Sequence, residues 1–304
     1  MLRRVFGSAH IGLPEHWLRT NRALTGLMGL FLYHHNSSVC AAKIRVALAE
    51  KSLPWEGRLL KLDGDQFDPK YLSLNANAVV PTLLHNERVV TESNVILEYI
   101  EDEFPTPSLR PAESFARAEM RLLMGMLDGG ASGIHYAASV ATYAIAYRHH
   151  LIRAAGSESR DALGQEIRRR MNPKSRLWLE DAVFQGLNSA VFRKSLLLID
   201  RLFDEFERRL AVRRWLAGDE YSLAEAAFAP YMIRFQLLGL RFLIERRPAL
   251  AEWFRRLENR KSSLEIIGWY DPENLDLLRE RGCECAPVAR KFLAKESGRN
   301  ANGL

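Results

Sequence analysis

Two regimes of hydrophobic patterning divide the chain. From residue 30 to residue 105, short apolar runs alternate with polar turns; from residue 112 onward, apolar positions recur at helical spacing. Leu30 to Tyr33 are four apolar residues, the length and character of a buried strand. A polar turn, Asn36-Ser37-Ser38, follows, and Val39, Ile44, Val46, Ala47 and Leu48 then continue at helical spacing with Lys43, Arg45 and Glu50 between them. Trp55 to Leu62 reads as a second strand, parallel to the first through a right-handed helical crossover. Asp63-Gly64-Asp65 turns the chain into a short helix over Pro69 to Leu74. Val79 to Leu84 is a third strand entered through Pro81, and the turn His85-Asn86-Glu87 pairs it in a hairpin with Arg88 to Val90. Thr91-Glu92-Ser93 introduces a helix to Phe104 whose Val95, Ile96, Tyr99 and Ile100 share helical spacing. The order β-α-β-α-β-β-α over residues 30–105 predicts a thioredoxin-like α/β domain.

Pro105, Pro107 and Pro111 punctuate a linker, and residues 112–270 predict an all-α domain. Its helices are expected over Ser114 to Asp128, Ile134 to Ile152, Leu177 to Leu210, Leu223 to Leu238 and Pro248 to Glu258, with a polar, Arg-rich loop and one short helix between residues 153 and 175. The charged tail, residues 271–304, ends in Gly, Asn and Ser, so its last dozen residues are expected to be disordered. Residues 1–29 carry Arg3, Arg4, Arg19 and Arg22 against the single acid Glu15, a composition shared with transit peptides. Because the apolar run Leu24 to Tyr33 flows directly into the first strand, this segment is read as an N-terminal arm, with Met28 as an older start.

Composition narrows the function classes. A formal charge of +6 comes mostly from Arg interleaved with Asp and Glu, as in Arg201 to Arg214, which is a solvated helix face rather than a nucleic-acid surface. No apolar run reaches the length needed to span a bilayer. Three cysteines do not make a disulfide framework, so a reducing, cytoplasmic setting is expected. Cys283 and Cys285 stand in the charged tail without further ligands, which argues against a metal site there.

The strand, the hydroxyl-rich turn and the helix start at Val39 together make a site suited to an anion. Ser38 can donate its hydroxyl to such an anion or simply cap the helix; Asn36 and Ser37 are alternative donors. Cys40, two residues on, is either a thiol whose pKa the helix start lowers or a small residue on the inward face.

Several motifs resemble the soluble glutathione transferases. Val80-Pro81 matches the family's strand-entering cis-proline; Glu92-Ser93 before Asn-Val-Ile-Leu-Glu-Tyr-Ile matches its Glu-Ser pair; Ser222-Leu-Ala-Glu225 stands where it places a Ser/Thr-x-x-Asp capping box. Within the family, Arg88 to Pro105, Ser108 to Glu113 and Arg117 to Arg121 resemble the bacterial glutathione-dependent β-etherases of lignin breakdown. The turn Asn36 to Cys40 is instead similar to the maleylacetoacetate isomerases and the reductive dehalogenases of chlorinated hydroquinones, and the long insert between residues 148 and 190 is similar to that dehalogenase branch.

The resemblance implies glutathione as cosubstrate, its thiolate steadied by Ser38, with Cys40 resolving a mixed disulfide in the dehalogenase-like case. It implies that Val80, beside Pro81, pairs with the cysteinyl unit in the manner of an added strand. Ser93 and Glu92 would take the γ-glutamyl carboxylate and ammonium, and Lys43 or Asn77 the glycyl end. The second substrate is expected against the helical domain. Tyr136, Tyr143 and Tyr147 share a helix face there, with Trp178 in a later helix, and tyrosines suit a partly wet aromatic site. The leading expectation is cleavage of a β-aryl ether by glutathione. The alternatives are reductive dehalogenation or isomerisation using Cys40, and a catalytically weak subunit of a heterodimer; a homodimer or heterodimer is expected throughout.

Overall fold

The computed structural model describes residues 29–86 and 88–301, so residues 1–28 of the expected arm lie outside the described residues. Four strands, β1 (Leu30–His34), β2 (Glu56–Leu59), β3 (Thr82–His85) and β4 (Arg88–Thr91), form one sheet in the order β2-β1-β3-β4. β1 pairs with β2 in parallel and with β3 antiparallel, and β3 with β4 antiparallel. The parallel pair needs a crossover, which helix α1 (Val39–Glu50) supplies. β3 and β4 are joined by the expected hairpin, with Leu83 opposite Val90. A short α2 (Pro69–Leu72) precedes β3, and α3 (Ser93–Glu103) follows β4.

Helix α1 is buried nearly all round, including Ala41, Ile44, Val46, Ala47 and Leu48. The reason is its position, with α3 on one side and the helical domain on the other. An amphipathic pattern is therefore not required of it, and its small residues permit close approach on both faces.

The helical domain contains α4 (Ser114–Gly125), α5 (Ile134–Thr142), α6 (Arg148–Ala155), α7 (Arg160–Arg170), α8 (Pro173–Gln185), α9 (Ala190–Leu210), α10 (Leu223–Leu237), α11 (Arg241–Glu245), α12 (Pro248–Glu258) and α13 (Lys261–Gly268). One π-helical turn, Tyr143–Tyr147, joins α5 to α6. The helix expected from Leu177 to Leu210 is two. Gly186 takes a positive φ of 55°, and Ser189 then caps α9 by accepting from the Phe192 N–H at 3.1 Å. Helix α10 starts in the expected capping box. Buried Glu225 accepts from the Ser222 N–H at 3.0 Å and from the Leu216 N–H at 2.6 Å.

The tail corrects the expectation of disorder for residues 293–301, while residues 302–304 lie outside the described residues. Pro272–Ala301 is one helix, α14. Leu278, Gly282, Cys285, Ala289 and Leu293 are buried on one side of it, at spacings of four, three, four and four. The charges between them hid this stripe. Gly239 and Gly282 let α14 dock closely, for a Cβ on Gly282 would meet the Leu237 carbonyl at 2.3 Å.

Candidate active site

One cavity of about 1350 Å³ runs between the two domains. The turn before α1 forms part of its wall, and its conformation is fixed by local bonds. The Ser37 N–H donates to His35 Nδ1 at 3.1 Å, and Ser38 Oγ accepts from the Ala41 N–H at 3.2 Å. Ser38 is thus the N-cap of α1, the plainer of its two readings, though it also faces the cavity. Asn36 turns away from the cavity and donates to Asp271 at 2.9 Å. Ser37 is buried, and its Oγ has no hydrogen-bond partner among the described residues.

Cys40 occupies the second position of α1 and faces the cavity half-buried. Its Sγ lies 3.5 Å from His135 Nδ1 and 3.6 Å from the Tyr231 hydroxyl, which are themselves 3.1 Å apart. Burial pushes the thiol up, but the charge and hydrogen bond of His135, helped by Lys43, outweigh it and bring the pKa down to about 6. The imidazole is raised by the neighbouring thiolate. Tyr231 is pushed far up by burial and stays a neutral hydroxyl donor. Together they set a thiol of lowered pKa, an imidazole of raised pKa and a phenol in mutual contact. Such an arrangement can supply a nucleophile at neutral pH.

Lys43 does not reach the cavity. It is fully buried, with Nζ donating to Ser93 Oγ at 2.9 Å and to Asn94 Oδ1 at 2.6 Å. The glycyl-end role expected of it does not hold; its charge acts on Cys40 from behind and orders the start of α3. Asn77 does line the cavity and donates to Glu92 at 3.1 Å. Val80 and cis-Pro81, with Glu92 and Ser93, line the same cavity. Glu92 holds a φ of 66°, a left-handed conformation that costs a non-glycine residue about 1 kcal/mol or more. Tyr136, Tyr143, Tyr147 and Trp178 complete the wall, Tyr136 meeting Trp178 edge-on at 5.6 Å and Tyr143 meeting Tyr147 at 5.7 Å. The structure therefore brings every expected site residue to one cavity except Asn36 and Lys43.

With this architecture and site in view, family profiles of the glutathione S-transferase N-terminal and C-terminal domains match residues 37–103 and 189–256. The chain belongs to the glutathione S-transferase superfamily. Among relatives, glutathione S-transferase TCHQD of Arabidopsis thaliana is 25% identical over 247 residues, covering 79% of this chain and 90% of its own. The tetrachloro-p-hydroquinone reductive dehalogenase of Sphingobium chlorophenolicum is 26% identical over 247 residues, covering 76% and 92%. The solved structure of the β-etherase LigF from Sphingobium sp. strain SYK-6 superposes with a TM-score of 0.67 at 25% identity, covering 80% of this chain and all of that one. The site also gathers side chains that sequence reasoning passed over: His135 as a partner of Cys40, Tyr231, and Arg234. A signal existed for the last. An arginine amid the otherwise apolar run Ala226 to Phe235 has to be held by something specific.

Proposed function

We propose that the protein is a glutathione-dependent enzyme in which the Cys40 thiolate removes glutathione reductively from an aromatic conjugate. The observation that carries this reading is the contact of Cys40 with His135 and Tyr231 at 3.5 and 3.6 Å. Glutathione enters as a substrate. Val80, beside Pro81, pairs with its backbone as a neighbouring strand would, while Ser93 and Glu92 take the γ-glutamyl carboxylate and ammonium. Asn77 stands by through its bond to Glu92.

In the reaction, the Cys40 thiolate attacks the glutathionyl sulfur of an aryl thioether. The sulfur–aryl bond breaks, the aryl carbon keeps the electron pair, and His135 delivers a proton to it. Cys40 is left in a disulfide with glutathione. A second glutathione thiolate restores Cys40 and departs as glutathione disulfide. The aryl carbon gains two electrons, one from the thioether sulfur and one from the second glutathione thiolate, and both sulfurs end in glutathione disulfide. Such turnover suits a reducing cytoplasm. The homodimer or heterodimer expected of the chain is carried with the reading.

A second reading, direct cleavage of a β-aryl ether by glutathione, is favoured by the likeness to the β-etherase structure at a TM-score of 0.67 and by the unpartnered Ser37 hydroxyl. Glutathione disulfide formation from a chlorinated hydroquinone, measured with wild type and Cys40→Ala, separates the two. Loss in Cys40→Ala is expected. Undiminished turnover would overturn the proposal, and β-ether cleavage by Cys40→Ala would establish the second reading. No turnover of either substrate by wild type would leave the weak-subunit alternative.

A further inference from the structure

Arg234 is buried in the last turn of α10, about one helical turn beyond Tyr231, and forms part of the cavity wall. Its Nε donates to the Tyr270 hydroxyl at 3.1 Å, Nη1 to Thr142 Oγ1 at 3.1 Å, and Nη2 to the Ser37 carbonyl at 2.6 Å and to Tyr270 again at 2.9 Å. None of these partners is a carboxylate. The guanidinium lies between the rings of Tyr147 and Tyr270, 5.4 and 5.3 Å from their centroids, and four contacts leave one of its five N–H groups unassigned. A buried cation without a counter-charge is costly.

Two more polar groups share this end of the cavity without satisfaction. The Tyr147 hydroxyl and Ser37 Oγ are buried and face one another without a hydrogen bond of normal geometry. Burial pushes the Tyr147 phenol up, so it remains a donor. Among the described residues, a guanidinium bonded to no carboxylate and two hydroxyls that face only each other are complementary to a compact oxyanion.

We infer that the aromatic substrate carries an anionic oxygen group, a carboxylate or an ionised phenol, which docks on Arg234 between the Ser37 and Tyr147 hydroxyls. This rests on the reading of the cavity as the aryl site, and it fixes the substrate's orientation. The anion seats beside Arg234 while the ring stands one helical turn away, near Tyr231 and Cys40.

Calorimetry on the full chain without glutathione tests the subsite apart from the thiol chemistry. The probes are 4-hydroxybenzoate against its methyl ester, for the carboxylate, and 2,6-dichlorophenol against 2,6-dimethylphenol at about pH 8, for the phenolate. Wild type is expected to prefer the anion in at least one pair by about tenfold or more. Arg234→Met abolishes that preference, Arg234→Lys keeps part of it, and Tyr147→Phe and Ser37→Ala each lower it about fivefold. No anion preference in wild type, or a preference that survives in folded Arg234→Met, overturns the inference. Should Arg234→Met fail to fold, an unchanged preference in Tyr147→Phe overturns it instead. Anion preference in a protein whose Cys40 takes up no glutathione supports the subsite while removing the reductive reaction.

Discussion

Replacing His135 by glutamine removes the charge beside Cys40 while keeping a polar side chain of similar reach. In wild type the thiol is held at about 6, so about 90% of it is ionised at pH 7. Without the imidazolium, burial is the dominant influence on the thiol and pushes it up, to the ordinary value near 8.5 or above. At pH 7 fewer than about 3% of the molecules then carry the thiolate. The alkylation rate at pH 7 is expected to fall about thirtyfold. Iodoacetamide labelling across pH, read by peptide mass so that Cys40 is scored apart from exposed Cys283, measures the midpoint directly. Reactivity rises with pH through the folded-state value, so wild type turns on near pH 6 and His135→Gln at least two units higher. A wild-type midpoint at the ordinary thiol value, or a variant midpoint within about half a unit of wild type, would refute the coupling.

Other consequences follow from the same contacts. Ser38→Ala deletes a cap and is expected to cost about 1 kcal/mol in urea unfolding while moving the Cys40 alkylation midpoint by less than half a unit; a shift of a full unit would return the sulfur-steadying role to that hydroxyl. Glu225→Ala strips buried acceptors from the Leu216 and Ser222 N–H groups and should destabilise by about 3 kcal/mol or more, read as a lowered denaturation midpoint. Gly282→Ala drives a methyl into the Leu237 carbonyl, so α14 should loosen, with faster amide exchange between residues 272 and 296 than in wild type.

The local parts of this molecule were legible in the sequence. β1, the polar turn, α1, the hairpin and α3 follow from runs of a few residues, and Val80-Pro81 and Glu92-Ser93 mark one wall of the cavity by motif. What was hidden is what the fold brings together from afar. Cys40 meets His135 across 95 positions and Tyr231 across 191, and neither partner has a local pattern that announces it. Lys43 was misplaced for a related reason. On the surface a lysine reaches outward, but α1 is enclosed on both sides, so its ammonium is spent on Ser93 and Asn94. In α14 the buried stripe is thin and interrupted by charge, and the docking of Gly282 against Gly239 shows how this helix packs against the domain.

Exposure of the wild-type protein to glutathione disulfide, followed by intact and peptide mass, tests the central claim most directly. The account predicts one glutathionyl adduct, located on Cys40 and released by free glutathione, while buried Cys285, whose thiol burial pushes up to about 12, takes none. An adduct confined to Cys283, or no adduct at all, would contradict it.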